Sequence, residues 1–291
     1  MTSNPDTLRN TVAQNLHSLK TFPKIVLDIL DVLDDEDANA HLLVDLLHRD
    51  PVLSGKLLGM ANTLGGKPPG ERPITDVMTS VSMLGFSRIR SLVSTLSLRE
   101  AFSPVMPTLM ANQFWEHSVD VATAAKVIAE HCGLKSDLSY VAGLIHDIGI
   151  LWIAINYPAE YVHMCAPEDD TTHNVIESER QWIGTDHAEV GAILCELWGL
   201  PDEIRQSVAG HHNPDQMPPC KYVMNVHLAE VACNALNLGQ RPRNGVSYFS
   251  EQTLPLLGLD WKQIPDLLGE IDARARFMRT FAGVSSGRTN R

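Results

Sequence analysis

A histidine and an aspartate stand side by side in the most apolar stretch of this sequence. His146 and Asp147 interrupt the run YVAGLIHDIGILWIAINY, in which nearly every other residue is apolar. Burying an imidazole and a carboxylate costs on the order of several kcal/mol unless the two groups are paired or bind a metal ion. The pair therefore predicts a buried site in which other polar groups or a metal ion compensate both side chains.

Further side chains of metal-binding types fall on the apolar faces of other predicted helices. His117 shares a stripe with Val121 and Ile128, and His187 shares one with Leu194, at the spacing of an amphipathic helix. For each histidine taken alone, a satisfied core or surface position is the commoner alternative, but the joint pattern favours a shared site. The residues predicted to face inward are His117, His146, Asp147, His187, His211, His212 and Glu230.

This set combines imidazoles with carboxylates and contains no thiolate. Such ligands suit Fe, Mn, Ni or Zn, and the absence of cysteine argues against a structural zinc site. Asp147 could bridge two ions, and two ions about 3.5–4 Å apart can lower the pKa of a bound water and clamp a phosphoryl group during displacement. We therefore expect one or two divalent ions. The pattern leaves open whether His227 also faces the site.

The elements that must position these residues are helices throughout. Apolar residues recur at spacings of three and four along most of the chain, and no alternating strand pattern stands out. Residues 138–157 are apolar nearly all round, which predicts one central, buried helix. Asp186 and Glu189 form the pattern of a capping box at the start of a later helix. The predicted fold class is all-α, an N-terminal helical bundle packed on a second helical domain.

The clearest break in the chain is the segment SPVMP at residues 103–107. It predicts an N-terminal helical part over residues 1–106 and a second helical domain over residues 107–283. The remaining residues, 284–291, are polar and are expected to form a disordered tail.

Composition restricts the function further. The 291 residues carry 23 Lys and Arg against 35 Asp and Glu, a formal charge of −12, which argues against charge-driven binding of nucleic acid. The uninterrupted apolar stretches are too short to predict a membrane span. Five widely spaced cysteines without a CxxC pair suggest free thiols in a reducing, cytoplasmic compartment.

Several separated motifs resemble a known family. His117 followed by the HDIG sequence at 146–149 is similar to the HD superfamily of metal-dependent phosphohydrolases, and the longer series of motifs resembles the HDOD domain, a bacterial signalling module related to HD and HD-GYP proteins. The motifs that carry this resemblance are LKTFP at 19–23, RDPVL at 49–53, LLGMAN at 57–62, ITDV at 74–77, LGF at 84–86, FWEHS at 114–118, AGLIHDIG at 142–149, DHAEVG at 186–191, WGLP at 198–201 and the histidine pair 211–212.

The resemblance implies an all-helical, HD-like second domain in a protein of bacterial signal transduction. The family's metal-site residues carry over to His117, His146, Asp147, His187, His211 and His212. The chain departs from catalytic HD-GYP proteins at four places. Ile150 replaces a lysine, Gln113 stands where a trinuclear subset has a glutamate, Glu230 replaces an aspartate, and no GYP follows the histidine pair. The resemblance thus implies a retained metal site with altered substrate-handling parts.

Three hypotheses follow for the function. The first is a stand-alone regulatory module that binds signalling proteins and keeps its metal-type site, without enzymatic activity. The second is a metal-dependent phosphohydrolase or phosphodiesterase acting on a nucleotide or cyclic dinucleotide, with Asp147 as a catalytic residue. The third is a small-molecule sensor or a nucleic-acid-linked regulator in which Arg88 and Arg90 bind an anion. A solvated helix face is the favoured interpretation of these two arginines, and the charge of −12 weakens the nucleic-acid version.

Overall fold

The computed structural model describes residues 5–19, 21–31, 43–45, 47, 51–64, 73–102, 108–165, 175–238 and 248–282. All regular secondary structure within these ranges is helical, which confirms the predicted all-α fold class. In chain order the α-helices are α1 (Pro5–Gln14), α2 (Lys24–Asp31), α3 (Pro51–Leu64), α4 (Val77–Leu84), α5 (Phe86–Phe102), α6 (Thr108–Cys132), α7 (Ser136–Ile145), α8 (Ile148–Asn156), α9 (Pro158–Cys165), α10 (Val175–Ile183), α11 (His187–Leu197), α12 (Asp202–Gly210), α13 (Lys221–Ala235), α14 (Thr253–Leu257) and α15 (Ile264–Ala282).

The chain forms two compact units, and their bounds differ from the predicted division at residue 106. The smaller unit is Phe22–Glu100, and the larger unit combines Met1–Thr21 with Ala101–Arg291. The first residues belong to the larger unit because α1 packs on α11, where Arg9 donates to Glu196 at 2.9 Å. Such a long-range contact has no local sequence signal. The predicted linker at 103–107 and the predicted tail at 284–291 lie outside the described residues.

Local side-chain and backbone chemistry defines both ends of α4 in the smaller unit. Asp76 caps α4 by accepting the backbone N–H of Thr79 at 2.7 Å, and Gly85 follows the helix with a φ of 86°. That left-handed conformation favours glycine. Between α3 and α4, the side-chain amide of Asn62 both donates to and accepts from the backbone of Ile74.

The core of the larger unit is built around α6, which packs against α7, α13 and α15. The apolar face of α6 is fully buried at Val121, Ala125 and Ile128, as the stripe predicted. The helix ends before Gly133, which has a φ of 67°. The site described below lies where α6, α7 and α13 meet the ends of α8, α11 and α12.

The predicted single helix over residues 138–157 is wrong, because the chain is interrupted at His146 and Asp147. α7 ends at Ile145, and α8 starts at Ile148. Asp147 has φ −100° and ψ 13°, and although it occupies the capping position of α8, its side chain makes no capping hydrogen bond. The carboxylate faces histidines instead, so the polar pair breaks the helix that the apolar pattern alone would continue.

The apolar stretch around this break is longer than the sequence suggested. Among the described residues, Ser136–Asn156 is long and apolar enough to cross a membrane by length and composition. Its most apolar window is 83% buried inside the larger unit, which is the behaviour of a core helix of a soluble protein.

Candidate metal centre

In the part of the chain that the structure describes, seven side chains that could hold metal ions lie in two groups, and within each group the ligand atoms are all within 4.8 Å of one another. The first cluster consists of His117, His146 and Glu230, all buried. The second cluster consists of Asp147, His187, His211 and His212, of which only His212 is half-buried rather than buried. The structure thus brings together all seven residues named from the sequence.

Asp147 joins the two clusters through its two carboxylate oxygens. Its Oδ2 lies 3.2 Å from His146 Nε2 and 3.8 Å from His117 Nε2, both in the first cluster. Its Oδ1 lies 3.2 Å from His187 Nε2 and 3.5 Å from His211 Nε2, both in the second. One oxygen therefore faces each cluster, as in a carboxylate that bridges two ions.

The spacing of the nitrogen atoms matches that of ligands around a common ion. In the first cluster, His117 Nε2 lies 3.3 Å from His146 Nε2 and 2.9 Å from Glu230 Oε2. In the second, His187 Nε2 lies 3.4 Å from His211 Nε2 and 3.1 Å from His212 Nε2. Two nitrogen ligands bound at 2.0–2.1 Å in a tetrahedral site are about 3.3 Å apart. Several ring nitrogens thus converge on one point in each cluster.

Two of the histidines are oriented by the helix that each one terminates. His146 directly follows α7 and donates its Nδ1–H to the carbonyl of Gly143 at 2.7 Å. His211 directly follows α12 and donates to the carbonyl of Val208 at 2.8 Å. Carbonyl groups in the last turn of a helix lack intrahelical partners and are available for such bonds. Each bond fixes the tautomer and leaves the Nε2 lone pair directed at the clusters.

His187 is oriented by a carboxylate. Glu179 accepts the Nδ1–H of His187 at 2.7 Å and its backbone N–H at 2.8 Å through the same oxygen. The helix start is fixed beside it, because Asp186 accepts the backbone N–H of Glu189 at 2.8 Å and the Nε–H of Arg180 at 2.7 Å. A histidine ligand backed by a carboxylate is a common outer-shell arrangement in metal sites.

Two glycines allow the helices that carry the ligands to approach closely. A Cβ atom on Gly149 would lie 2.0 Å from the backbone oxygen of His187, so α8 and α11 can meet only with glycine there. A Cβ atom on Gly143 would lie 2.8 Å from Cα of Ala122, where α7 crosses α6. The glycine of the HDIG sequence therefore has a steric role, which is to bring the Asp147 region against His187.

Burial keeps part of the second cluster uncharged. It lowers the pKa of His211 to about 3, and the neighbouring imidazoles of His146 and His187 act in the same direction. Burial also lowers the pKa of His212 well below its ordinary value, with a further contribution from His211. Neutral imidazoles are the form that binds metal ions.

For two other groups, the effect of charged partners on the pKa outweighs the effect of burial. Burial alone would raise the pKa of Glu230, but His117 and His146 hold it well below the usual value of a glutamate. Burial alone would lower the pKa of His187, but Glu179 raises it above the usual value of a histidine. Glu230 is therefore a carboxylate at neutral pH, which is the form that binds cations.

A model of the HDOD domain matches residues 19–214, more than half of the chain. The chain belongs to the HDOD family. Solved structures agree with this. An HDOD domain protein of unknown function from Geobacter sulfurreducens is 26% identical, with a TM-score of 0.76, covering 96% of this chain and 98% of that one.

Two further structures share the fold of this HDOD chain. A provisionally assigned signal transduction protein from Marinobacter aquaeolei VT8 is 23% identical, with a TM-score of 0.73 over 91% of this chain and 59% of that one. A provisionally assigned phosphohydrolase from Shewanella amazonensis SB2B is 24% identical, with a TM-score of 0.64 over 94% of this chain and 96% of that one.

Curated relatives are longer than this HDOD chain. An uncharacterized protein of Treponema pallidum (strain Nichols) is 22% identical over 85% of this chain, which spans 50% of that protein. A ribonuclease Y of Thermus thermophilus is 29% identical over 34% of this chain and 13% of that enzyme. The chain therefore spans half or less of the length of these relatives.

The residues at which this HDOD chain differs from catalytic HD-GYP proteins have the following surroundings. Ile150 and Gln113 are both half-buried. Glu230 still reaches His117 at 2.9 Å, so the longer side chain keeps an oxygen in the first cluster. Pro214–Gln216, just after the histidine pair, is a short 3₁₀ turn.

Sequence reasoning missed Glu179 and left His227 open. Glu179 lies eight residues before His187, where no local pattern connects the two. His227 is not a member of either cluster: it donates its Nδ1–H to the carbonyl of His211 at 2.7 Å and accepts the backbone N–H of Ser250 at 3.2 Å. Burial lowers the pKa of His227. Both of its ring nitrogens are therefore engaged by backbone groups.

The two arginines proposed as anion ligands lie elsewhere in the chain. Arg88 is exposed and Arg90 is half-buried, and both belong to α5 in the unit Phe22–Glu100. Their proposed anion binding stays a prediction.

A cleft of about 880 Å³ opens beside the second cluster, with His212 in its wall. Three arginines line it, and each one is engaged by a carboxylate: Arg9 by Glu196 at 2.9 Å, Arg180 by Asp186 at 2.7 Å, and Arg205 by Asp202 at 2.9 Å. The cleft therefore reaches the second cluster, but its cationic side chains are already paired.

The donor set fits a pair of first-row divalent ions. Five imidazoles and two carboxylates converge, and hydrogen bonds direct the Nε2 atoms of His146, His187 and His211 inward. Nitrogen and oxygen ligands of this kind suit Fe, Mn, Ni or Zn, and no cysteine belongs to either cluster.

Proposed function

We propose that this HDOD protein is a signalling module that holds two divalent ions and acts through protein partners. The observation that carries the metal assignment is the position of Asp147, whose Oδ2 lies 3.2 Å from His146 and whose Oδ1 lies 3.2 Å from His187. A single carboxylate with one oxygen directed at each of two ligand groups is the arrangement of a dinuclear site.

The seven residues would be divided between two ions. The first cluster, with His117, His146 and Glu230, would hold one ion, and the three histidines of the second cluster would hold the other, with Asp147 available to both. Fe, Mn, Ni and Zn all fit this donor set. When bound, a pair of such ions supplies Lewis acidity and lowers the pKa of a bound water.

Three features favour a regulatory role over a catalytic one. Ile150 replaces the lysine that could stabilise developing charge on a phosphate. The arginines of the cleft are paired with carboxylates, so binding a substrate phosphate would first break an ion pair. The name of the Marinobacter relative also supports a place in signal transduction.

The free state of the cysteines is consistent with a cytoplasmic location. Cys132, Cys195, Cys220 and Cys233 are free, and Cys195 and Cys233 are buried. Buried free thiols suit a reducing compartment.

Hydrolysis of a phosphoester is the second candidate function. The cleft that reaches His212 would admit a substrate to the second cluster, and part of the chain is similar to ribonuclease Y. A nucleotide or a cyclic dinucleotide is the substrate class proposed in this case. Asp147 would then hold the ions at the positions that catalysis requires, and His212 would border the bound phosphate.

Metal analysis combined with an activity screen tests both functions. Protein purified without a metal-affinity tag is expected to contain two equivalents of metal, and Asp147→Ala is expected to lose both. The matched control is Asp266→Ala, which removes an exposed acid from the first turn of α15, outside the cleft. A metal-free wild type would contradict the metal centre.

The same samples are assayed with a panel of phosphodiesters and cyclic dinucleotides in the presence of Mn²⁺. A regulatory module is expected to show no turnover. Hydrolysis by the wild type and by Asp266→Ala, but not by Asp147→Ala, would contradict the regulatory role and establish the second candidate.

A further inference from the structure

We propose that His227 is a positioning residue for the histidine pair 211–212, and that it connects the second cluster to the segment 248–250. This inference rests on the proposed metal centre and adds to it a residue outside both ligand groups. Its basis is a continuous series of hydrogen bonds from the backbone of His211 to the surface.

The inner part of the series is centred on His227. This side chain is only 2% exposed. Its Nδ1–H donates to the carbonyl of His211 at 2.7 Å, and its Nε2 accepts the backbone N–H of Ser250 at 3.2 Å. One neutral tautomer satisfies both bonds at once, so the ring acts as a fixed spacer between two backbone groups.

The outer part of the series returns to the turn that follows the ligands. Ser250 donates its hydroxyl to Oδ1 of Asp215 at 2.6 Å, and Tyr248 donates its hydroxyl to Oδ2 of the same carboxylate. Asp215 belongs to the 3₁₀ turn Pro214–Gln216. The segment 248–250 is therefore tied to the ligand region at two points. Tyr248 is 57% exposed, so the series ends at the surface.

The carbonyl of His211 is a sensitive point in the site. It belongs to the peptide group that joins His211 to His212, so its direction sets the relative orientation of the two side chains. The ring of His211 is also held by its own hydrogen bond to the carbonyl of Val208. His212 is half-buried, so its position depends more on the direction of this peptide group. Holding this peptide plane is thus a way to keep the Nε2 of His212 at 3.1 Å from that of His187.

The first cluster does not depend on this peptide group. His117 lies within α6 and Glu230 within α13, and His146 is oriented by Gly143. Loss of the hydrogen bond from His227 is therefore expected to lower the affinity for one ion and to leave the affinity for the other unchanged. A general loss of stability would not have this selective effect.

Two substitutions of His227 separate positioning from packing. His227→Phe keeps the ring volume and loses both hydrogen bonds. His227→Asn loses volume but keeps an amide N–H close to the position of Nδ1. A positioning role predicts better metal binding in His227→Asn than in His227→Phe, whereas a packing role predicts the reverse order.

The experiment titrates Mn²⁺ into chelator-treated full-length protein by calorimetry. The wild type is expected to bind two equivalents. His227→Phe is expected to keep one equivalent at wild-type affinity and to bind the second at least about tenfold more weakly, the usual effect of losing an outer-shell partner. His227→Asn is expected to restore the second equivalent.

Two further variants serve as control and as reserve. Asn225→Leu removes a buried hydrogen bond on the same helix, from Asn225 to the carbonyl of Ala125 at 3.0 Å, and is expected to lower Tm while keeping both equivalents. Asp215→Ala changes an exposed residue, so it folds even if His227→Phe does not. It is expected to weaken the second equivalent by a smaller factor than His227→Phe.

The outcomes distinguish the inference from the function on which it rests. Two wild-type equivalents with unchanged binding in His227→Phe, or weaker binding in His227→Asn than in His227→Phe, would overturn the positioning role alone. Equal losses at both sites in His227→Phe and Asn225→Leu would also overturn it. A wild type that binds no Mn²⁺ would overturn the metal centre and the positioning role together.

Discussion

The two ligand clusters are built in different ways although they share Asp147. The first cluster draws on residues within or directly at the end of long core helices, with His117 in α6 and Glu230 in α13, and all of its members are buried. The second cluster draws on helix ends: His187 begins α11, His211 follows α12, and His212 borders the cleft.

The first cluster is therefore the structural half of the site, and the second cluster, which borders the cleft, is the accessible half. Helix packing holds His117 and Glu230 of the first cluster, and the carbonyl of Gly143 orients the buried His146, so the geometry of this cluster is expected to change little with the surroundings. Outer-shell hydrogen bonds hold the second, from Glu179 and from the carbonyl of Val208. We therefore expect the second ion to exchange more readily and to be the one that ligands or partners influence.

The largest effect is expected where both clusters depend on one contact. Gly149→Ala would place a methyl group 2.0 Å from the backbone oxygen of His187, and backbone cannot yield as a flexible side chain can. Overpacking of this kind costs about 1–3 kcal/mol and occasionally more, so we expect a loss of at least about 3 kcal/mol in the free energy of unfolding. Urea denaturation measures it.

Gly269→Ala is the matched control for this change. A Cβ atom on Gly269, within α15, would meet nothing within 4 Å. Alanine is there expected to raise the free energy of unfolding by up to about 1 kcal/mol. Equal effects of the two substitutions would contradict the close approach of α8 to α11.

Removing the negative charge of Glu230 from the first cluster should strongly lower the affinity for one ion. Glu230→Gln eliminates the carboxylate that lies 2.9 Å from His117, while the second cluster keeps all of its members. We expect the affinity for one Mn²⁺ equivalent to fall about 100-fold, or about 2.7 kcal/mol, and the other to remain. Glu203→Gln, at an exposed position, is the control. Loss of both equivalents would mean that the clusters are not separable.

Acid should destabilise the metal-free protein through the second cluster. The pKa of His211 is about 3 in the folded protein against an ordinary 6.5, so between these values the unfolded chain binds more protons and stability falls as pH falls. From pH 6.5 to 5 this amounts to about 1–2 kcal/mol for His211, because the unfolded imidazole is already half protonated at pH 6.5, and His212 acts in the same direction. The raised pKa of His187 opposes it, because that contribution is present at low pH and is lost as pH rises.

Urea denaturation of the metal-free protein at several pH values measures this slope. His211→Gln is expected to flatten it, whereas His163→Gln, at an exposed position, is expected to leave it unchanged. A stability that rises as pH falls from 6.5 to 5 would contradict the assignment of neutral, buried imidazoles.

The smallest effect is expected outside the ligand groups. Glu179→Gln keeps the size of the side chain that orients His187 but weakens the hydrogen bond to Nδ1. We expect the second equivalent of Mn²⁺ to bind about tenfold more weakly, or about 1.4 kcal/mol, with the first unchanged. Glu177→Gln, on the same helix, serves as control. An effect of Glu179→Gln on the first equivalent would remove the distinction between the two halves.

Some residues of the two clusters could be predicted from the sequence because they share a helical face with apolar neighbours. His117 and His187 are examples, since a histidine at such a position must be compensated when the helix packs. The helix boundaries at Gly85 and Asp186 followed in the same way from local chemistry. These features are encoded within one turn of the residues concerned.

Other features depend on contacts between distant segments. At the interruption formed by His146 and Asp147, the carboxylate lies close to histidines from other parts of the chain, and the apolar pattern around it does not encode these contacts. The pairing of Glu179 with His187 and the attachment of α1 to α11 likewise arise only when helices meet. Sequence periodicity predicts which face of a helix is buried but not which partner it meets.

Anomalous diffraction from crystals of the protein, recorded at the absorption edge of the metal found by elemental analysis, tests the dinuclear site most directly. Two peaks about 3.5–4 Å apart are expected, one beside His117 and Glu230 and one beside His187 and His211, with Asp147 between them. A crystal without a peak at Asp147, or with a single peak that only one cluster contacts, would contradict it.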